Sequence, residues 1–511
     1  MSTAIISGER QLTHADLQAR AAKVATGFDG FRVVEGDSVA LVLRNDFAFF
    51  EAVLGAAMVG AYAVPVNWHF TSSEVNYILE DCEANVVVIH ADLLPGLKDA
   101  LPADAHILVV PTPPEIRDAY AIAADICAVP DGERDWNAWV AEQSPWDKPP
   151  RPPRSNMIYT SGTTGAPKGV MRFSPSPEEV KTFARFLGII FGFSVNQKVR
   201  TVVTGPIYHA APNAYALFTV GGGGLVVLQP KFDAEELLAL IERHRITHLH
   251  MVPTMFVRLL KLPDGAKRKY DLSSLEFVVH AAAPCPPDIK RRMIDWWGPI
   301  INEYYGSTET GPPVFHTADE ALKKPGTVGR VIKGAVVRIL DPGGNELPPG
   351  EVGEVYLRVL GHSDFTYKND DEKRRAIEKH GLITVGDIGY FDEDGYLFLC
   401  DRASDMVISG SVNIYPAEIE AALIGMPGVR DCAVFGIPDD EFGEVLCAHI
   451  ELDQAGKLTA ENVALWLQDR LAKYKVPRHI VFVDSLPRED SGKIMKRKLR
   501  DAYWKEAGRI I

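Results

Sequence analysis

Short apolar runs alternate with longer amphipathic stretches through the chain up to about residue 400. The runs at 38–43, 63–66 and 86–90 have strand length, and the apolar span 47–60 is long enough for a buried helix. Thr71-Ser72-Ser73-Glu74 has the spacing of a capping box, in which the threonine oxygen and the glutamate carboxylate each accept the other's backbone N–H. It predicts a helix running toward Cys82. The rhythm continues with strands at 200–203, 225–228, 247–252 and 277–279 and helices at 233–243, 254–261 and 287–297. Strands alternating with helices predict α/β layers with parallel-rich sheets. In such sheets ligands sit in the loops that follow the carboxyl ends of the strands.

The stretch 131–154, dense in proline and charge, reads as a connector on the surface. After about residue 325 the runs 334–340, 353–359 and 395–400 read as strands joined by turns such as Asp341-Pro342-Gly343-Gly344, a small β-rich subdomain. From Asp401 the pattern becomes a separate α+β module. The predicted organisation is a large multi-layer N-terminal domain over 1–400, with the β-rich part at about 325–400, and a small C-terminal domain over 401–511.

Composition narrows the function classes. In 511 residues, 46 % are hydrophobic and 24 % charged, values of an ordinary globular protein. The apolar run 52–66 contains Gly55, Gly60 and Pro65 and is too short to span a bilayer, and the first residues carry no apolar core of signal-peptide length. No stable membrane insertion and a cytoplasmic location are the resulting expectations. With 54 Lys and Arg against 68 Asp and Glu, the net charge of −14 argues against a nucleic-acid partner and requires a local device to hold any anion. The six cysteines are scattered with no C-x-x-C pair, so reduced core thiols are expected.

The most informative segment is Tyr159-Thr160-Ser161-Gly162-Thr163-Thr164-Gly165-Ala166-Pro167-Lys168-Gly169, following a predicted strand at 156–159. Its glycines, hydroxyls and lysine make a loop able to wrap phosphate oxygens, though such a loop alone also reads as a polar surface turn. The spacing is not that of a Walker A motif. The order S-G-T-T-G-x-P-K-G resembles the phosphate loop of the adenylate-forming superfamily, which includes acyl-CoA synthetases, firefly luciferase and peptide-synthetase adenylation domains. Further segments are similar to the family's in the family's order. They are Pro206-Ile207-Tyr208-His209, Ala281-Ala282-Ala283-Pro284, Tyr304-Tyr305-Gly306-Ser307-Thr308-Glu309, Thr384-Val385-Gly386-Asp387, Asp401-Arg402 through Glu420, and Ser491-Gly492-Lys493. The resemblance covers nearly the whole chain and points to acyl- and aryl-CoA synthetases such as 4-coumarate–CoA and fatty-acyl–CoA ligases.

The resemblance implies a reaction: carboxylate and MgATP give an acyl-adenylate and pyrophosphate, and the thiol of coenzyme A then gives the thioester and AMP. It implies that Thr160, Ser161, Gly162, Thr163, Thr164, Gly165 and Lys168 hold the phosphates, that Ala282, Ala283 and Pro284 line the adenine, and that Tyr305, Gly306 and Ser307 also bind the nucleotide. It implies that Glu309, with Thr160, takes Mg²⁺, and that Thr308 lies near the α-phosphate. Asp387, read as a turn residue, and Arg402 are implied to grip the ribose. His209 and Lys493 are implied catalytic residues, Lys493 bridging the carboxylate and the α-phosphate. Asp401 is the implied hinge of a mobile C-terminal domain, and Ser409, Gly410 and Ser411 border the implied tunnel for coenzyme A. Read alone, the basic run Lys496, Arg497, Lys498 and Arg500 is a solvated helix face.

Two departures stand out: Ser411 replaces a common glycine and bears on the thioester step, and Ser404 stands where many relatives carry lysine. The implied acyl pocket involves His209, Asn213, His280, Ala281, Gly306 and Val314. None of these is an Asp or Lys able to pair with an α-ammonium or a second carboxylate, and unpaired buried charge is costly. An uncharged aromatic, phenylpropanoid, alicyclic or medium- to long-chain fatty acid is expected. His209 and Asn213 read equally as structural residues, and His280 reads as a satisfied core histidine. Other readings are an enzyme loading a carrier-protein phosphopantetheine, an oxygenase, and a catalytically silent nucleotide-binding homologue. A serine hydrolase lacks its G-x-S-x-G elbow. Homodimerisation is left open.

Overall fold

The computed structural model describes residues 2–160, 167–193, 198–402, 405–409, 412–439, 442–453, 458–488 and 494–506. Among them the apolar runs become strands of two main sheets. Ser38–Val42, Tyr62–Pro65, Ala84–His90 and His106–Val110 form a four-stranded parallel sheet. The capping box at Thr71 opens the helix Ser72–Asp81 beside it.

The second sheet has 14 strands. Its parallel half contains Arg200–Val203, Leu225–Leu228, His248–Met251, Phe277–His280 and Ile301–Ser307. The strand Gly311–His316 then returns antiparallel to Ile301–Ser307, and the strands beyond it continue antiparallel, while at the other edge Thr3–Ser7 pairs parallel with Leu225–Leu228. The residues after 325 therefore do not build a sheet of their own: Ala335–Leu340, Gly353–Val359, Leu382–Phe391 and Tyr396–Arg402 extend the same sheet. A short antiparallel sheet joins Ile158–Thr160, Lys168–Arg172 and Phe365–Tyr367. A five-stranded sheet within 407–483, with the helices Pro416–Ile424, Ala460–Gln468 and Lys496–Glu506, makes up the C-terminal part. No helix of the described residues is long and apolar enough to cross a membrane.

The connector expected at 131–154 contains a helix, Trp136–Glu142. Asp135 caps it by accepting the Ala138 N–H at 2.7 Å. Trp136 is buried and donates its indole N–H to Glu51 at 2.9 Å, and Trp139 packs where Gly27 offers no side chain. Two tryptophans three residues apart were the available signal, overshadowed by the prolines that follow. The lysine run at the C-terminus also departs from expectation. Lys496 is mostly buried and pairs with Glu420 at 2.8 Å. Burial opposes its charge, but Glu420 and Asp401 outweigh that and hold the ammonium protonated.

A buried polar cluster underlies the middle of the long sheet. The ammonium of Lys290, on the helix Pro287–Trp297, contacts the Glu303 carboxylate, which also lies 3.0 Å from His316 Nε2. Burial would raise Glu303, but Lys290, His280 and His316 hold it far below the usual carboxylate range. His280 is fully buried, 3.6 Å from Glu303, and neither ring nitrogen has a hydrogen-bond partner among the described residues. It is thus a core histidine, as read, but not a satisfied one. Burial pushes it down to about 3, and burial pushes His250 down to about 4.

Stability should therefore fall as pH drops below the ordinary histidine value, because the unfolded chain binds protons that these neutral rings refuse. Stability is complete above about pH 6.5, and one such ring contributes a loss of about 2 kcal/mol between pH 7 and 5. Denaturant melts of His280→Asn at both pH values should show a pH-dependent loss smaller by about that amount. An unchanged loss would mean that the ring titrates normally in the fold.

Candidate active site

The glycine-rich loop joins two strands whose ends are in register, Thr160 opposite Lys168. Ser161, Gly162, Thr163, Thr164 and Gly165 lie outside the described residues. Its base is anchored on both sides. Tyr159 donates its hydroxyl to Asp81 at 2.6 Å, and the Lys168 ammonium contacts the Asp370 carboxylate. Asp370 also caps the helix Asp371–Ala376 through the Lys373 N–H.

The hairpin Ile301–Ser307/Gly311–His316 brings Thr308 and Glu309 to the same place. Ser307 and Thr310 close the turn with hydroxyls 2.9 Å apart, and each accepts the other's backbone N–H at 3.2 Å. Gly306 is required here, since an added Cβ would stand 2.0 Å from the Gly311 carbonyl oxygen. Glu309 Oε1 lies 3.5 Å from Thr160 Oγ1 and accepts the Tyr367 hydroxyl at 3.2 Å. Thr160 and Glu309, expected as a pair from the sequence, are thus neighbours across 149 residues of chain. One carboxylate and one hydroxyl form a hard oxygen set. This suits Mg²⁺, which is usually held by one or two carboxylates and by substrate phosphates rather than by a protein cage. Among the described residues no group of three His, Cys, Asp or Glu forms an alternative metal site.

Beside this hairpin, Asp387 accepts the Tyr305 hydroxyl at 2.6 Å and lies 3.2 Å from Arg402 Nε. Burial, reinforced by the Asp387 carboxylate, pushes the Tyr305 phenol well above its ordinary value, so it remains a donor. Asp387 is not in a turn as the sequence suggested. It sits within the strand Leu382–Phe391, directly opposite Arg402. Gly386 at φ +82° and a register shift against Glu354–Tyr356 let the strand bulge at that point, which reads locally as a turn. Thr384 donates to Glu354 at 2.9 Å and accepts the Gly386 N–H at 3.0 Å, fixing the bulge.

The segment Ala281-Ala282-Ala283-Pro284 leaves the carboxyl end of the strand Phe277–His280. Ala282 adopts φ +74°, a left-handed conformation costing about 1 kcal/mol or more for a residue with a Cβ. Ala281 is buried, whereas Ala282 and Pro284 are exposed as a lip.

Three residues of the expected acyl pocket make contacts within the protein core. Asn213 uses its amide structurally, donating to the Ile207 carbonyl at 2.8 Å and accepting from Asn156 at 2.9 Å. Val314 is fully buried among Val328, Val337, Leu357 and Leu397, in the core of the antiparallel half. His280 faces Glu303 and the ring edge of Phe256. The contacts of all three are those of core residues. His209 precedes the helix Ala210–Gly221 and packs its ring on Tyr208.

Toward the C-terminal part, burial raises the Asp401 carboxylate. Its oxygens accept the N–H of Arg402 at 2.8 Å and of Ala417 at 2.9 Å, the latter in the first turn of Pro416–Ile424. Ser409 ends a strand that pairs with Val412–Ile414. Ser404, Gly410, Ser411 and Lys493 lie outside the described residues. The sequence reading missed Tyr367, Asp370 and Arg172. No spacing rule marks them, and only the pairing of Phe365–Tyr367 with Lys168–Arg172 puts them beside Glu309 and Lys168.

A loop between paired strands, an acidic turn and a Tyr–Asp–Arg trio are thus gathered where a parallel sheet turns antiparallel. A family model described as AMP-binding enzyme matches residues 2–362, and one for the C-terminal domain of AMP-binding enzymes matches residues 418–493. The chain is 34 % identical over 508 residues to a feruloyl-CoA synthase of Amycolatopsis sp, covering 98 % of this chain and 96 % of that one. It is 31 % identical over 505 residues to the long-chain-fatty-acid–CoA ligase FadD13 of Mycobacterium tuberculosis, covering 97 % and 94 %. Among solved structures, ATP-bound MatB from Rhodopseudomonas palustris superposes with a TM-score of 0.82 at 30 % identity, covering 98 % of this chain and 96 % of that one. The chain belongs to the AMP-binding enzyme family, among the acyl- and aryl-CoA synthetases of the adenylate-forming superfamily.

Gly306→Ala should be among the most damaging small substitutions, because main-chain atoms rather than a flexible side chain occupy the space. A loss of about 3 kcal/mol, at the upper end for overpacking, should appear as a lowered melting temperature. A melting temperature equal to wild type would mean that the hairpin can open without cost.

Proposed function

We propose that this protein is an ATP-dependent carboxylic acid–CoA ligase acting on an uncharged, hydrophobic acid. The observation that carries the reading is the meeting of Thr160 with Glu309 next to the Tyr305–Asp387–Arg402 trio. This gives one place for polyphosphate and one for ribose. A substrate carboxylate oxygen attacks the α-phosphorus of ATP, the bond to the bridging oxygen of the β-phosphate breaks, and pyrophosphate leaves. The sulfur of coenzyme A then attacks the acyl carbon, its thiol proton is lost, and AMP departs on its own phosphate oxygen.

In this reading Asp387 holds the ribose hydroxyls while Tyr305 and Arg402 fix its orientation. Thr160 through Lys168 receive the β- and γ-phosphates. Lys168 must then exchange its bond to Asp370 for a phosphate, and that exchange makes nucleotide binding felt at the helix Asp371–Ala376. Glu309 and Thr160 would hold Mg²⁺, whose charge offsets that of the phosphates when bound. Thr308 faces the α-phosphate, and Lys493 bridges it to the carboxylate. The C-terminal domain from 401 onward turns about Asp401 between the two steps, and Ser409 to Ser411 border the thiol path. Feruloyl and long-chain fatty acids in the relatives' names support an acid with an aromatic or aliphatic body.

Incubation with MgATP, coenzyme A and a panel of aromatic and aliphatic acids should yield a thioester with one AMP per product by mass spectrometry. ADP as the nucleotide product would exclude the reading, and AMP without thioester would transfer it to another acyl acceptor. Lys493→Ala should slow acid-dependent pyrophosphate exchange by about 10²–10³-fold, as for loss of one transition-state donor. Thioester formation from supplied acyl-adenylate should fall much less, and an equal fall in both steps would remove Lys493 from the first.

A further inference from the structure

Arg172 ends the strand Lys168–Arg172 that leads away from the glycine-rich loop, and it is 7 % exposed. One arm of its guanidinium donates to the Ser363 carbonyl at 2.8 Å. The other donates to the carbonyls of Thr308 at 2.6 Å and Glu309 at 2.8 Å. All these bonds run to main-chain oxygens, not to a carboxylate. Burial lowers the guanidinium to about 10, so it is charged at neutral pH. Glu309 and Asp364 offset part of the cost through space, but a buried cation hydrogen-bonded to carbonyl oxygens alone is still an expensive way to fill space. What distinguishes it from an apolar side chain is a rigid fork whose one arm spans two successive carbonyls.

Those carbonyls belong to the residues assigned above to the α-phosphate and the metal. The hydroxyls of Ser307 and Thr310 close the turn from its ends, but they leave the Thr308 and Glu309 carbonyls to another donor. We propose that Arg172 is a positioning residue for Glu309: it clamps the main chain of Thr308 and Glu309 so that the Glu309 carboxylate stays beside Thr160 and open to a divalent cation. The inference rests on the reading of Glu309 as a metal ligand. It adds a supporting contact, of the kind that tunes metal affinity without touching the metal.

The test uses Mn²⁺ as the probe, titrated by electron paramagnetic resonance into the full-length protein with a non-hydrolysable ATP analogue, alongside thermal melts. Arg172→Met should weaken Mn²⁺ binding about 10- to 100-fold, the usual range for such supporting contacts. Arg172→Lys keeps the charge but not the fork, so it should fall between Arg172→Met and wild type. It also carries the test if Arg172→Met does not fold. Wild-type Mn²⁺ binding in Arg172→Lys and in folded Arg172→Met, whatever their melting temperatures, would reduce Arg172 to a structural role and overturn the proposal. Glu309→Gln run in parallel separates the two ideas. If it leaves Mn²⁺ binding unchanged, the assignment of Glu309 itself fails and the clamp loses its purpose. If it abolishes binding while Arg172→Met and Arg172→Lys do not weaken it, only the clamp fails.

Discussion

The carboxylate of Asp387 holds together what the long sheet would otherwise leave apart. Tyr305 lies on the last strand of the parallel half, while Asp387 and Arg402 lie on neighbouring strands of the antiparallel half. One carboxylate accepting from Tyr305 and facing Arg402 joins the two halves at their common surface. The phenol is too buried to ionise, so it must donate, and the carboxylate is the acceptor within reach. The continuity of the sheet matters for the same reason. Because the strands after residue 325 extend the long sheet, residues 82 positions apart meet with backbone hydrogen bonds fixing both. A separate subdomain packed loosely against the first would not hold a 2.6 Å contact between side chains.

The layer beneath this surface is rigid and partly charged. Lys290, Glu303 and His316 are buried together, and Glu303 lies on the same strand as Tyr305. Buried ion pairs of this kind are weak sources of net stability, since desolvation opposes attraction, but breaking one partner alone is severe. Their effect here is geometric. They tie the strand Ile301–Ser307 to the helix Pro287–Trp297, which the chain enters shortly after the segment Ala281 to Pro284, where Ala282 adopts a positive φ. Strain at one residue persists only where its surroundings over-determine it, and the segment that carries Ala282 runs between the strand Phe277–His280 and the helix Pro287–Trp297, both fixed elements.

Much of this was legible in the sequence, and the exceptions share a cause. Strand-length runs, the capping box at Thr71 and the helix Pro287–Trp297 follow from patterns local in the chain, and the structure keeps them. The pairing of Thr160 with Glu309 was reached through resemblance, because no local rule relates positions so far apart. Asp387 was misplaced in a turn because Gly386 gives a bulged strand the composition of a turn. Lys496 was misread as solvated because a lysine run on an amphipathic helix has that pattern, and its partner Glu420 is remote in sequence. Arg172 had no signal at all. Its importance lies in which carbonyls its side chain meets, and those are set by a strand pairing with Phe365–Tyr367.

The net charge of −14 sharpens how an anion can be held here. The field of the whole surface opposes a polyphosphate, so attraction must be local and short-ranged. Lys168 is already neutralised by Asp370, and Arg402 by Asp387. Neither is a bare cation waiting for phosphate. On the proposed reading, binding is therefore an exchange of partners rather than a simple gain of charge, which favours ligands that offer ribose and phosphates together over phosphate alone. Arg172 differs from both, because its hydrogen bonds run to carbonyl oxygens and it makes no direct ion pair with a carboxylate. Its positive potential reaches the Glu309 carboxylate, which in turn stabilises the buried guanidinium. An acidic protein can thus set a cation beside the Glu309 turn that no mobile counter-charge has to supply, because that cation is locked to the main chain by its own hydrogen bonds.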